Sequence, residues 1–448
     1  MPTPRADVAH LLRRTNFGGS PAQIDALAAQ DLTTIVDGLL ALSGAPADTP
    51  PSTMKNAAFE QWEQYDSWRL WWYNRMVTSA TPLQEKMTLF WHGHLTTQYS
   101  KIGRADIMYE QNKTLRANAL GNFRTMLQAI SVGPAMLQYL DNFTNRVGDV
   151  QENFARELWE LFTLGVDQYT QADIVESARA WTGHSLNPWV SNTSGEDVYT
   201  FKPTWHDNGN KTIFGTTRNF NGPEVIDFTL DGPKKNVCAN YMARRLWSYF
   251  AYPNGEQSVI DALAAVWISS NWDIKAVMRA LLLRPEFYSE KAKTGLLRTP
   301  ADYVVAATRY AGLRIARDDR ADDPDAVHPN WYDEGMGMEI GEPPDVSGWK
   351  ANSYWISAST YWSRAEFARH VAYQCSKAKL FENFKTGTIT PTVMADTVLA
   401  QFGVDNPSAT TRQALINYLT QDNTPSNRWA LPVNAITMVL LSPDFQLA

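Results

Sequence analysis

Between Gln151 and His184 the chain reads QENFARELWELFTLGVDQYTQADIVESARAWTGH, two helix-period segments joined by a short polar turn. At about 100° of rotation per residue, Phe154, Leu158, Leu161 and Phe162 fall on one face. Asn153, Glu157 and Glu160 form a stripe along the edge of that face, continued by Leu164. Acids bordering an apolar face are not where a purely solvated helix carries its charge. Gly165 suits the left-handed end of the first helix. Thr170 followed by Asp173 is a weak capping box for the second, which stops at Gly183. A helical hairpin with carboxylates along its buried edge is therefore expected to be the spine of the fold.

The remaining pattern is mainly α. Two short amphipathic helices are expected over residues 5–40, the second opening at Ser20-Pro21 after Gly18-Gly19. A linker over 43–53 leads to a long aromatic helix at about Phe59–Thr78. Thr81-Pro82-Leu83-Gln84 is a capping box that opens a helix running into Phe90-Trp91-His92-Gly93-His94. Further helices are expected over 105–146, Val237–Tyr252, Gln257–Ser269 and Asp273–Leu283. Helical periodicity disappears over 185–235, where VYTF and KTIFG read as strands of a small hairpin. It disappears again over 313–353, an acidic, loop-rich stretch that includes GEPPDVSGW. The expectation is a single large multi-helical domain spanning 1–448, with an N-terminal helical segment over 1–45 and two irregular, partly β inserts. VMRALLLRPEFY and AITMVLLSPDFQL resemble each other and are read as a recurrent way of stopping a helix, with a weak internal repeat as the alternative.

A net charge of -7 argues against nucleic acid as the main partner. No run of 18 apolar residues is present, so no transmembrane helix is expected. The first residues, MPTPRADVAHLLRR, have no apolar h-region, which leaves the chain cytoplasmic or exported together with a partner. Cys238 and Cys375 are too few for a disulfide framework or a Cys-rich metal site and read as free buried thiols. Seventeen tryptophans have two readings, a helical core filled with large residues or a groove that stacks on sugar rings.

Three constellations carry candidate chemistry. Glu157 and Glu160 stand at i, i+3, close enough to share a site. Partial burial of both raises one pKa and yields an acid/base pair of the kind glycoside hydrolysis needs. The alternative is that each pairs with an arginine such as Arg156 or Arg179. His92 and His94 have H-x-H spacing, which lets both face one divalent ion on a loop but points them apart on a helix; His206 and Asp207 are the further ligands that reading calls on. The His206-Asp207 dipeptide is also a catalytic candidate in its own right, or a turn in which Asp207 caps Asn208-Gly209. No nucleophile elbow and no phosphate-binding glycine motif occurs. Lys101, Arg104, Lys113, Arg116 and Arg124 read as solvated faces, with an anionic polymer as the alternative use. The leading expectation is a carbohydrate-active hydrolase with Glu157, Glu160, His206 and Asp207 as catalytic residues. Trp91, Asn153, Arg156, Arg179, Trp181, Trp205 and Trp349 would line a groove for an oligosaccharide or polysaccharide. The competing expectations are a non-enzymatic assembly or binding protein and a metal-dependent hydrolase.

The motif order resembles the bacterial family called domain of unknown function 1800. The resemblance rests on His10-Leu11-Leu12-Arg13-Arg14 with Phe17-Gly18, Phe90-Trp91-His92 with His94, and Glu152-Asn153-Phe154-Ala155-Arg156-Glu157-Leu158. It continues through Leu161–Gly165, Tyr169-Thr170, Ala178-Arg179-Ala180, His206-Asp207, Pro343-Pro344, Gly348-Trp349 and Arg364. It implies no established activity. It does imply an exported partner encoded nearby, able to carry this chain with it.

Overall fold

The computed structural model describes residues 1–187, 198–316 and 326–448. Local capping chemistry accounts for most helix starts. Helix α1 (Arg5–Asn16) ends where Phe17 turns left-handed, and α2 (Pro21–Ala28) starts with Ser20 accepting a hydrogen bond from Gln23 N. Asp31 caps a third helix, α3 (Leu32–Leu40), so the N-terminal segment holds three helices rather than the two expected. The aromatic helix α4 (Gln61–Thr78) and the proline-opened α5 (Pro82–His94) follow, although Thr81 makes no side-chain cap to α5. Next come α6 (Tyr99–Ile102), α7 (Ala105–Ala117), α8 (Phe123–Ser131) and α9 (Pro134–Tyr139).

The hairpin is α10 (Asn153–Glu160) and α11 (Gln171–Ala180), with the Thr170–Asp173 capping box formed. Helix α10 ends at Glu160, five residues before Gly165, which instead turns the connection at φ +87°. In the first insert VYTF and KTIFG do form strands, but of two separate antiparallel hairpins. Strand β1 (His184–Asn187) pairs with β2 (Val198–Phe201), and β3 (Lys211–Ile213) with β4 (Thr216–Arg218). A helix missed by periodicity, α12 (Gly222–Asp231), occupies the end of this insert; Asn221 caps it reciprocally with Glu224. The expected stretch at 188–197 lies outside the described residues.

Helices α13 (Lys235–Phe250), α14 (Gln257–Ser269) and α15 (Ile274–Leu282) follow as expected, then α16 (Glu290–Thr294) and α17 (Pro300–Ala311). The described part of the second insert holds short 3-10 turns at Pro329–Trp331 and Asn352–Trp355, without a strand; 317–325 lie outside the described residues. Helix α18 (Ala358–Lys377), α19 (Pro391–Gln401), α20 (Ala409–Asp422) and α21 (Leu431–Leu441) close the chain, with a terminal turn α22 (Pro443–Gln446). The fold is mainly α, and none of the described helices is long and apolar enough to cross a membrane.

Two hydrophobic clusters form the interior. One gathers α1, α3, α8 and α10 to α15; the other gathers α4, α7 and α17 to α21. Helix α5 feeds both, with Met87, Phe90 and Trp91 in the first and Leu89 in the second. Cys238 and Cys375 are free, buried thiols in different clusters. Trp68, Trp72, Trp91, Trp159, Trp181, Trp247, Trp267, Trp272 and Trp355 are fully buried, so these tryptophans fill the core.

Buried charge is handled by networks that span the sequence. Glu85, with no exposed surface, accepts from Trp72 Nε1 at 3.0 Å, Arg75 Nε at 2.8 Å and Arg116 Nε at 2.9 Å. Arg116 therefore belongs to the interior and not to a solvated face, because its charge answers Glu85. Asp333, also fully buried, is paired to Arg69 at 2.6 Å and accepts from the Tyr73 hydroxyl at 3.1 Å. The two similar helix ends share one arrangement. In each, a proline opens a short turn whose buried Phe offers its carbonyl to a basic side chain, Phe287 to His10 Nε2 at 2.9 Å and Phe445 to Arg298 Nε at 2.8 Å.

Candidate functional site

Helix α10 is short and strongly two-faced. Phe154, Leu158 and Trp159 are buried, and Glu157 and Glu160 follow the border of that face, each half-buried. The two acids have different surroundings. Glu160 accepts a hydrogen bond from the Tyr169 hydroxyl at 2.5 Å. Glu157 makes no hydrogen bond or ion pair among the described residues. Burial pushes its carboxyl up to about 7, helped by the charge of Glu160 and opposed by Arg156. Arg156 is bonded to Glu152 at 3.0 Å and to Gln171 at 3.0 Å, so the arginine next in sequence is committed elsewhere.

Tyrosines surround the pair. Tyr139 has its hydroxyl pushed up to about 12, by burial first and then by Asp345, Glu157 and Glu342. Charges of the second insert and of the hairpin thus act on the same hydroxyl. Glu342 accepts from Ser100 Oγ at 3.0 Å, and Gly348 lies so close to α5 that an added Cβ would stand 2.1 Å from the Gly93 carbonyl. Asn153 reaches Asp141 at 3.2 Å, and Asp141 is ion-paired to Lys101 at 3.0 Å. On the other side, Tyr241 donates to the Leu161 carbonyl at 2.6 Å and senses the charge of Glu160. Two grooves open beside the hairpin turn. One, of about 930 Å³, includes Tyr169, Asp173, Glu176 and Lys234. The other, of about 390 Å³, includes Gln168, Asn236, Asn240 and Tyr241.

The other expected site residues go elsewhere. His206 and Asp207 sit at the C-terminal end of α11, where His206 Nδ1 donates to the Thr182 carbonyl at 2.8 Å. Asp207 is paired to Arg179 Nε at 2.8 Å and caps Gly209 N at 2.8 Å, so the turn alternative describes its bonding. The guanidinium beside it holds the Asp207 carboxyl below its ordinary range. Arg179 also binds Glu176 at 2.9 Å and is not a partner of Glu157.

His92 and His94 lie within α5, and Gly93 is helical rather than a turn, so the two rings point to different places. His92 packs on Trp68, Trp72 and Trp349, whereas His94 donates to the Phe162 carbonyl at 3.0 Å. Burial pushes them down to about 4 and about 3, as neutral rings. Among the described residues no group of three or more His, Cys, Asp or Glu side chains is placed to hold a metal ion.

Trp91 and Trp181 are fully buried and present no ring to a ligand. Trp205 has Lys202 over its ring at 4.0 Å and Arg146 at 5.6 Å, and Trp349 packs against His92 and Gly93. A tryptophan-lined groove is therefore not assembled from these four. Sequence reasoning missed Tyr139, Tyr169, Tyr241, Glu342 and Asp345. The GEPPDVSGW motif pointed toward Glu342 and Asp345, and the family-type Tyr169-Thr170 pair toward Tyr169.

The model of the family described as protein of unknown function (DUF1800) matches residues 10–447, and the chain belongs to that family. No curated protein and no solved structure matches it.

Proposed function

We propose that this member of the family is an acid–base enzyme whose centre is the Glu157–Glu160 pair, with cleavage of a glycosidic bond as the reaction the pair suits best. The observation that carries the reading is the half-buried Glu157 carboxyl, without a partner among the described residues and pushed up to about 7 beside a second carboxylate. Two like groups in unlike environments divide into acid and base. Glu157, protonated near neutral pH, is positioned to give its proton to a leaving oxygen. Glu160, in a hydrogen bond with Tyr169, supplies the carboxylate that stabilises developing positive charge or attacks. Polar groups along the two grooves, Asn236, Asn240 and Gln168 with Tyr169 and Tyr241, suit a polyhydroxylated substrate; neither acid lines either groove, and Tyr169, which does, links one of them to Glu160. Incubating the protein with a panel of oligosaccharides and polysaccharides and measuring new reducing ends tests the reading. Activity in the native protein, lost in a folded Glu157→Gln variant, supports it. Equal activity in both would refute the role.

A second reading has its own observation. Trp331 and Trp362 are each about two-thirds exposed (65% and 66%), and Tyr354 and Tyr373 are half exposed. Large aromatic rings left in water favour a protein-binding role. Under this reading the chain is an assembly partner of an exported protein, and co-purification with the product of a neighbouring gene, lost on Trp362→Ser, is the expected result.

A further inference from the structure

Where α1, α5, α17 and α18 meet, the interior holds far more positive than negative charge. Arg14, Lys86, Arg298 and Arg364 are at most 4% exposed and surround a single buried carboxylate, Asp302. Lys86 takes that carboxylate as its ion-pair partner. The arginines settle for backbone and amide oxygens, and Arg298 also for the Tyr310 hydroxyl. Arg298 Nε donates to the Phe445 carbonyl at 2.8 Å, and Arg364 donates to the Arg298 carbonyl at 2.9 Å and to Gln446 Oε1 at 2.7 Å. Arg14 reaches the Ala292 carbonyl with one nitrogen. Its Nε and Nη1, and Nε of Arg364, are buried with no acceptor among the described residues. Arg13, next to them, makes no hydrogen bond or ion pair among the described residues. Asp405, which bears on Arg13, is ion-paired to Arg5 at 2.7 Å through one oxygen, and its other oxygen is buried without a hydrogen bond among the described residues.

Four buried cations thus face one buried carboxylate, Asp302, and Arg13 stands beside another carboxylate, Asp405. Buried charge without a counter-charge is among the costliest arrangements a fold contains. The strain is visible in Arg14, which burial and then the neighbouring Arg13 push down to about 9. Guanidinium donors left without acceptors in such a setting match the oxygens of a tetrahedral anion, which takes several forked N–H groups at once. The surplus of charge suits a dianion better than a single carboxylate.

We propose that Arg13, Arg14, Arg298 and Arg364 form an internal binding site for a phosphate or phosphoryl group. A cavity of about 450 Å³ adjoins the cluster at Tyr310; it is lined by Phe17, Gly18, Gly19, Arg309 and Tyr310, and not by the four arginines. Tyr310 forms its wall and lies beside Arg298. Arg309 donates only to the carbonyls of Met76 and Val77, at 3.2 and 2.8 Å, and has no carboxylate partner among the described residues. The site is separate from the Glu157 pair and does not depend on its reading.

Thermal unfolding of the full chain across a phosphate series, with ionic strength held constant by chloride, is the test. Saturable stabilisation by inorganic phosphate is expected, because a ligand that binds only the folded state raises its stability by mass action. Arg14→Met should weaken that dependence at least tenfold, whereas Arg279→Met, on a surface pair with Asp37, should leave it unchanged. A second arm uses glycerol 3-phosphate. Tighter binding than inorganic phosphate identifies an ester whose organic part occupies the cavity, and weaker binding identifies the free anion. Should Arg14→Met not fold, Arg13→Met with radiolabelled phosphate replaces it. The proposal is overturned if phosphate acts no differently from chloride, or if the arginine variant keeps the full phosphate response. A gain in stability for Arg14→Met in phosphate would also overturn it, since a surplus cation without a ligand is relieved by removal.

Discussion

Tyr169 donates its hydroxyl to Glu160 at 2.5 Å, while Glu157, one turn back along the same helix, has no hydrogen-bond or ion-pair partner among the described residues. This asymmetry separates two carboxylates that sequence alone presents as equivalent. It also separates their consequences for stability and chemistry.

Glu157→Gln should change the pH profile of stability in a defined direction. The folded carboxyl titrates at about 7, against an ordinary value of 4.5. Between those values the folded state keeps a proton that the unfolded chain has lost, so stability falls as pH rises, and above pH 7 the deficit is constant. Discounted for partial exposure, the effect is about 1–2 kcal/mol. Urea unfolding should show Glu157→Gln more stable than wild type by that amount at pH 8 and equal to it at pH 4. A structural ion pair at Glu157 would give the opposite sign.

Tyr169→Phe removes the bond to Glu160 and little else. The loss should be about 1 kcal/mol, below the range for buried charged hydrogen bonds because both groups are partly exposed. If Glu160 works as the carboxylate of the pair, turnover should fall by more than this stability loss accounts for, with the folded fraction unchanged by circular dichroism.

Glu85→Gln tests the interior network. The substitution leaves Arg75 and Arg116 facing a neutral amide in a fully buried position. Breaking one side of such a cluster costs about 3–5 kcal/mol. The urea midpoint should fall accordingly, and a loss under about 1 kcal/mol would show that water reaches the arginines.

Gly348→Ala should displace the second insert. Its backbone has φ +79°, and a Cβ would stand 2.1 Å from the Gly93 carbonyl. Strain and overlap together should cost at least about 2 kcal/mol. Faster proteolysis of the GEPPDVSGW segment, with the helical content retained, is the expected readout.

Much of the helical framework was legible because capping is local. Ser20, Thr170 with Asp173, and the proline-led starts sit within four residues of the groups they satisfy. Helix α12 was missed although Asn221, Pro223 and Glu224 spell out its start; the Gly- and Asn-rich turns before it hid the signal. The pair Glu157–Glu160 was legible as a stripe on one helix. The company it keeps was not, because Glu342 and Asp345 reach Tyr139 from a segment some two hundred residues away in the chain. His92 and His94 mislead for a related reason: H-x-H is a ligand spacing only outside a helix, and both lie inside the proline-opened α5. Trp91 and Trp181 show the same limit, since a tryptophan count does not say which rings the core consumes.

The titration of Glu157 itself tests the account most directly. Carbon-detected magnetic resonance of the protein carrying labelled glutamate, assigned by the signal lost in Glu157→Gln, reads that one carboxyl. A midpoint near 7 is the predicted result. A midpoint at or below 4.5, the ordinary value, would show a solvated or ion-paired carboxylate and contradict its role as the acid of the pair.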